Sequence, residues 1–338
     1  MTGRERILAA LRGEPADRTP VMLHNFLMAA RENGLTMARF RRDGRAVAAS
    51  FIRAVETYST DGILVDVSTA MLAGALGVPV DLPEDLPARC KGPLIASLEA
   101  VPDLQPPDIA GYFEIETALE SVRILKAHFG DAVAVRGNAD QAPFSLAAMV
   151  RGLDAWMMDL VEADPERIRT LLDYCFEATR QFLDLMAEAG ADILSNGDSP
   201  AGPDLISPAA YRRFAQPWEK ACADRAHSLG KPYVLHICGN TGPILADMIA
   251  TGADGLELDY KTDPRQARAA LRGRACLIGN IDPSGVLALG TPAEVEDRTR
   301  ELLEIFRGEP RFILNAGCAI PAETPAANLR AMLDTRGD

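Results

Sequence analysis

The sequence predicts an α/β protein of the (β/α)₈ TIM barrel class with an inserted segment after strand two, and three observations predict it. The first is a recurring unit in which a small turn precedes a short β-rich run that ends on a polar residue. It occurs as Thr60-Asp61-Gly62 before Ile63 to Asp66, as Gly190-Ala191-Asp192 before Ile193 to Asp198, and as Gly252-Ala253-Asp254-Gly255 before Leu256 to Asp259. The second is the count. Applied to the rest of the chain, the same template gives strands near 20–26, 62–67, 132–138, 191–198, 231–238, 255–259, 276–282 and 312–318, which makes eight. The third is the lack of a glycine-rich phosphate turn after the first strand, which an open dinucleotide-binding sheet would need. Eight strands alternating with helices then favour the closed parallel barrel over the doubly wound sheet.

The elements follow in order. Met1 to Gly13 reads as a polar amphipathic helix with Arg4, Arg6 and Arg12, and it lacks the continuous apolar stretch of a signal peptide. The stretch 68–107 breaks the repeat with Gly74, Gly77, Pro79, Pro83, Pro87, Gly92 and Pro93. It is expected as an insertion at the barrel mouth, either a wall or lid of the active site or a merely decorative excursion. The segment 143–189 is expected to hold two or three helices in sequence. Later helices carry a capping residue followed by proline at Ser207-Pro208, Asp263-Pro264, Thr291-Pro292 and Thr324-Pro325. Proline suits the first helical position because its missing N–H has no intrahelical partner there. With no linker visible, residues 1–338 are expected to form one elaborated barrel domain.

A hydrophobic fraction of 48% with 25% charged residues suits a globular chain with a substantial core. The net charge of -13 argues against a nucleic-acid or anionic membrane partner, either of which wants a basic face. No segment is long and apolar enough to span a bilayer. The six cysteines are spread without the density of a disulfide scaffold, so a reducing, cytoplasmic location is expected and the thiols are free to act as ligands.

In a barrel the reactive groups sit where strands end. Here those ends are polar: Asn25, Asp66, Asn138, Asp198, His236 with Cys238, Asp259, Asp282 and Cys318. The two-residue period of strand five puts His236 and Cys238 on one face, with Leu235 and Ile237 on the other. Imidazole and thiolate are favoured zinc ligands, and strand eight delivers Cys318 at the same rim. Three such ligands leave a fourth position open, as in catalytic zinc sites. From spacing alone, buried cysteines acting as small apolar residues and a histidine completing a hydrogen bond stand equally as an explanation.

Resemblance adds to this. The runs His236-Ile237-Cys238-Gly239-Asn240-Thr241, Asn315-Ala316-Gly317-Cys318-Ala319-Ile320-Pro321 and Leu205 to Phe214 with Pro217 resemble the uroporphyrinogen decarboxylase superfamily. Arg4 to Gly13 and Asp17-Arg18-Thr19-Pro20-Val21 also look typical of it, so the likeness covers essentially the whole chain. Within it the chain is similar to the zinc-dependent branch, the methylcobalamin:coenzyme M methyltransferases and other corrinoid methyltransferases. That resemblance implies an enzyme whose zinc, on His236, Cys238 and Cys318, binds a thiol as its thiolate and moves a methyl group to or from cobalamin. No Asp-x-His-x-x-Gly run is present, so the corrinoid is expected on a separate partner protein.

Two further residues are candidates for the catalytic machinery. Asp198 follows Asn196 in register and either faces the mouth, as support or as a fourth zinc ligand that substrate displaces, or caps the turn before Ser199-Pro200. Asp259, with Glu257, Asn280 and Asp282, is placed to orient His236 through its second nitrogen, or else simply solvates the rim. His24, His128 and His227 carry no ligand spacing and are read as structural. Phe26, Leu27, Met28, Met71 and Leu72 suggest an apolar wall or plain core.

Two departures matter. Decarboxylases of the superfamily are expected to carry an arginine motif just after strand one, where this chain has His24-Asn25-Phe26-Leu27-Met28 and no arginine until Arg31. The sulfonate of coenzyme M would want a cation, and Arg136 is the one obvious candidate at the rim. The alternatives are therefore a decarboxylase-like lyase of the same fold and a non-catalytic corrinoid-binding protein.

Overall fold

The computed structural model of the protein describes residues 1–336. Its eight barrel strands are β1 (Met22–Leu23), β2 (Gly62–Val65), β3 (Ala134–Gln141), β4 (Ile193–Gly197), β5 (Tyr233–Ile237), β6 (Gly255–Leu258), β7 (Cys276–Ile281) and β8 (Phe312–Ala316). They pair in parallel in sequence order. The sheet closes where Leu314 N–H donates to the Pro20 carbonyl at 2.9 Å and Val21 bridges Leu314. The predicted barrel is the observed one.

The recurring aspartate has a physical reason. Asp61, Asp192 and Asp254 stand just before β2, β4 and β6, and each accepts a backbone N–H from the start of the preceding odd-numbered strand. The donors are Val21 at 3.0 Å, Val135 at 2.9 Å and Tyr233 at 2.8 Å. Backbone donors at the sheet's lower edge, which would otherwise be orphaned, are thereby satisfied.

Below them the first helix, Gly3–Arg12, closes the floor. Thr2 and Glu5 form a reciprocal capping box at its start. Its Ile7, Ala10 and Leu11 pack against inward side chains of six strands: Met22, Ala134, Ile193, Val234, Cys276 with Ile278, and Ile313. This plug of buried apolar groups fills the lower barrel and leaves the upper end for polar chemistry.

The ends of two strands differ from expectation. β1 is only two residues long, because the chain turns at Asn25 into the helix Phe26–Glu32. β3 runs on to Gln141 through an irregularity between Asn138 and Gln141, with Asp140 in the left-handed region at φ 56°. The segment 143–189 does hold three helices, Pro143–Arg151, Leu153–Glu162 and Pro165–Glu188. Ser207, Asp263 and Thr291 cap helices as expected. At Thr324-Pro325 the start shifts by one: Pro325 itself occupies the cap of Ala326–Asp334, because the Thr324 N–H is turned back to the Pro321 carbonyl at 3.1 Å.

The stretch after β2 contains the short helix Met71–Ala75, an antiparallel hairpin of Val80–Asp81 with Arg89–Cys90, and the 3₁₀ turn Leu98–Asp103. It is anchored rather than loose. Buried Arg41 donates to the carbonyls of Leu86, at 2.9 Å, and Pro83. Leu72 N–H reaches the Asp140 carboxyl at 2.8 Å, and Leu94 N–H reaches the Val150 carbonyl at 2.7 Å. Among the described residues no helix is long and apolar enough to cross a membrane.

Candidate metal centre

β5 and β8 deliver the cluster. His236 is the fourth residue of β5, Cys238 follows its last residue, and Cys318 lies two residues beyond β8. His236 Nε2 is 3.1 Å from Cys238 Sγ and 3.7 Å from Cys318 Sγ, and the two sulfurs are 3.7 Å apart. A tetrahedral zinc with bonds of about 2.3 Å to sulfur and about 2.0 Å to nitrogen has S–S edges of about 3.8 Å and N–S edges of about 3.6 Å. The three donor atoms thus already outline one face of such a tetrahedron, and by distance and donor chemistry the set fits the ion.

Two glycines make the approach possible. Gly239, at φ 84°, turns the chain directly after Cys238, and a Cβ there would meet an Asp204 carboxylate oxygen at 2.5 Å. Gly317 lies so close to the next loop that a Cβ would stand 2.5 Å from the Tyr260 nitrogen. The turn after Cys238 is tied down by Gly239 N–H to Asp259 at 2.9 Å and Thr241 N–H to Thr262 at 2.9 Å.

The imidazole is oriented by its other nitrogen. His236 Nδ1 lies 2.9 Å from the Glu257 backbone carbonyl. A carbonyl only accepts, so Nδ1 carries a proton, which leaves Nε2 as the nitrogen that a metal would take. Without an ion the cluster shares its charge. Hydrogen bonding from Cys318 outweighs burial and, with His236, draws the Cys238 thiol down to about 3. Cys318 in turn is pushed up, first by that same bond and then by burial. Burial pulls His236 down, but the Cys238 charge and its hydrogen bond carry it up to about 9. These directions favour the thiolate form at Cys238, the form in which a cysteine binds a metal.

The cluster borders a cavity of about 230 Å³ at the barrel mouth. A larger cleft of about 360 Å³ opens nearby between Tyr260, Asp282 and Arg298, and it contains none of the three. The small cavity is walled by Phe26 and Leu27, while Met28, Met71 and Leu72 belong to the buried core. Thr69 and Pro87 of the insertion also line it, so that stretch does form part of the wall. The charged groups facing it are His24, Asp66, Arg136, Asp140 and Glu257. Arg136 Nη1 stands 2.6 Å from Glu257 Oε2, and His24 lies 3.3 Å from Asp66 and 3.6 Å from Glu257. Burial would raise the Glu257 carboxyl, but Arg136, His24 and His236 hold it well below the usual carboxylate range.

Of the two aspartates expected to support the metal, Asp198 lies off the cavity and Asp259 holds the backbone turn that follows Cys238. Asp198 Oδ1 accepts the Ser145 N–H at 2.8 Å and the Ser145 hydroxyl at 2.5 Å, at the start of the helix Pro143–Arg151. It is a capping aspartate, though for a different helix from the one its sequence neighbours suggested. It lies against Glu219, itself bonded to the Tyr211 hydroxyl. Burial pushes Asp198 up to about 6 and Glu219 well above its ordinary value, the second with help from the first. Asp259 holds the Gly239 turn and the Lys261 N–H, not the imidazole. The expectation that a carboxylate orients His236 is corrected to a backbone carbonyl, because the Glu257 side chain is turned to Arg136 and Asn315. Asp282 caps its own following turn through Ser284 and Gly285.

His24, read from sequence as structural, lines the cavity, and so does Asp140. The strand-end rule would have marked His24 beside Asn25. Nothing in the sequence foretold Asp140, which faces the cavity only through the irregular end of β3.

Comparison with known proteins agrees with the fold. The family described as Uroporphyrinogen decarboxylase (URO-D) matches residues 2–338. The chain is 29% identical to the methylcobamide:CoM methyltransferase MtbA of Methanosarcina acetivorans, covering 98% of this chain and 97% of that one. It is 30% identical to a uroporphyrinogen decarboxylase of Synechococcus sp., covering 95% and 93%. Among solved structures, a methyltransferase from Methanosarcina mazei superposes with a TM-score of 0.90 at 26% identity, covering 99% and 98%.

Proposed function

The chain belongs to the uroporphyrinogen decarboxylase family, and from its His/Cys/Cys cluster we propose that it is a zinc-dependent enzyme that transfers a methyl group from a corrinoid to a small thiol. The observation that carries this is the placement of three donor atoms, mutually within 4.8 Å, on the wall of a cavity at the barrel mouth. Zinc held by His236, Cys238 and Cys318 would bind a thiol at its open position and strip its proton at neutral pH.

The protein's own residues do the rest. The Glu257 carbonyl keeps the His236 lone pair aimed at the ion, and Asp259 with Thr262 fixes the turn that carries Cys238. Phe26 and Leu27 keep water from the sulfur. The corrinoid would supply the methyl group: a substrate thiolate, its proton already lost to solvent, would form the S–C bond as the Co–C bond broke, with that bond's electron pair left on cobalt. No general base is required in that step.

A cavity of about 230 Å³ is below the roughly 300–1,000 Å³ that encloses drug-sized ligands. It suits the thiol, while a corrin, presented by a partner protein, would have to sit over the mouth. The same size and the acidic lining oppose a porphyrinogen bearing several carboxylates.

Metal analysis tests the centre. Purified protein should carry about one zinc per chain, and Cys318→Ala should lose most of it while keeping its circular dichroism. Mixed with methylcobalamin and small thiols, the zinc-loaded protein should bleach the methyl-cobalt absorbance. Wild-type protein that binds no zinc under zinc-replete conditions would overturn the proposal.

A further inference from the structure

We propose that the small substrate of this cavity carries a positively charged ammonium head group, met by Asp66 and Asp140, rather than an anionic one. This rests on the reading of the cavity as a thiol methylation site and names the class of thiol it takes.

The charges facing the cavity are unequal. Arg136 is the one guanidinium or ammonium among its described lining residues, and Glu257 at 2.6 Å already supplies its counter-charge. His24 lies between two carboxylates, at 3.3 Å from Asp66 and 3.6 Å from Glu257. Even with His24 protonated, one carboxyl group is left without a cationic partner. That group is Asp140, whose recorded partners are the Leu72 N–H at 2.8 Å and the Gln141 amide at 3.1 Å, both neutral.

A second observation points the same way. Asp66 Oδ1 is buried in the wall, its residue only 2% exposed, and has no hydrogen-bond partner. A buried carboxylate oxygen is costly when left without a donor. Burial also pushes the Asp140 carboxyl up to about 8, against the bonds from Leu72 and Gln141 and with Asp66 adding to the rise, so with no cation beside it the group keeps its proton at neutral pH. An ammonium group would supply the donor that Asp66 Oδ1 lacks and the positive charge that lets Asp140 ionise.

Arg136 is the rival. Its Nε has no partner, so a sulfonate seeking it has a donor to meet. Such an anion would also face the Glu257 and Asp66 carboxylates in a low-dielectric pocket, where like charges repel strongly. The relatives' thiol carries a sulfonate; the chain's own charges favour an aminothiol.

Three ligands of equal length decide it: 2-aminoethanethiol, 2-mercaptoethanol and 2-mercaptoethanesulfonate. Each is tested as a methyl acceptor and, as its S-methyl thioether, by calorimetric binding to the zinc-loaded protein. The thioethers report head-group preference with no thiol proton and no turnover involved. The aminothioether should bind about tenfold or more tighter than the sulfonate. Asp140→Asn should reduce that ratio to about one or two. Asparagine tolerates the left-handed φ of this position and still accepts the Leu72 N–H, so the variant should fold. Tighter sulfonate binding that is lost in Arg136→Gln would overturn the inference, and so would equal binding of all three or binding of none. Methylation of thiols with the sulfonate preferred leaves the proposed function standing and removes this inference. Ammonium-selective binding with no methyl transfer does the reverse.

Discussion

At the floor of the barrel every buried carboxylate is fully engaged, whereas at the mouth several buried polar atoms have no partner. Asp61, 1% exposed, accepts from Arg6 at 3.0 Å, from Arg18 at 2.9 Å and from the Val21 N–H at 3.0 Å. Asp192 likewise takes Arg4 at 2.8 Å, Lys126 at 2.9 Å and the Val135 N–H at 2.9 Å. Around the mouth cavity, by contrast, His24 Nδ1, Asp66 Oδ1 and Arg136 Nε are buried without a hydrogen bond. Both ends use the same chemistry, carboxylates among cations. The floor spends it on backbone donors and so fixes the strands, while the mouth leaves groups unsatisfied that a ligand can complete. At the floor the saturated carboxylates hold the barrel together, and at the mouth the unsatisfied groups line the cavity; buried unpartnered atoms also occur elsewhere, as at Glu114 and Asp198.

The largest expected effect lies on the floor. Asp61→Ala leaves two guanidinium groups and a backbone N–H without their acceptor, and removing one member of a buried pair costs about 3–5 kcal/mol. Urea unfolding should show a loss of that size, while the folded fraction keeps its full zinc content. If zinc falls in parallel in protein that is still folded, the separation of the two ends is wrong.

At the mouth, Glu257→Gln should cost less, about 2 kcal/mol, because the amide oxygen still accepts from Asn315 but the side chain no longer neutralises Arg136. Its metal content is the sharper readout. His236 is held by the Glu257 backbone carbonyl, which the substitution leaves in place, so zinc should stay near one per chain. A large loss of zinc would return the orienting role to the carboxylate.

The same contrast explains what could be read from the sequence. All eight strands were legible because each is a short β-rich run behind a small turn, and the turns before β2, β4 and β6 carry aspartates fixed by a local requirement. His236, Cys238 and Cys318 could be placed at one rim because a strand's two-residue period and a strand end fix direction with few alternatives, but the family resemblance was needed to favour a metal site over buried apolar cysteines. Asp198 and Asp259 could not be placed, since their direction depends on loops beyond the strand: one turns outward to Ser145, the other sideways to Gly239. Asp140 was hidden by the irregular end of β3, which breaks the alternation on which any sequence reading depends. Arg136 could be placed at the rim, but its neutralisation by Glu257, 121 positions away, is a property of the closed barrel alone.

The smallest effect concerns a pair outside both ends. Asp198 and Glu219 are fully buried between β4 and its flanking helices, and burial raises both. The folded pair therefore keeps a proton that the unfolded chain gives up near pH 4, where free carboxyls ionise. The unfolded state binds fewer protons above that pH, so stability falls as pH rises from about 4 through about 6, the value for Asp198, and on toward the higher one of Glu219. Glu219→Gln removes one titrating group while its amide can accept from the Tyr211 hydroxyl and donate to Asp198. Melting curves between pH 5 and pH 8 should show a flatter pH dependence than the wild type, with a gain on the order of 1 kcal/mol at pH 7 and little change at pH 5. Zinc content should not move, since neither carboxyl borders the cavity. A pH dependence as steep as that of the wild type would show that the pair holds no shared proton, and Asp198 would then be an ionised cap sustained by Ser145 alone.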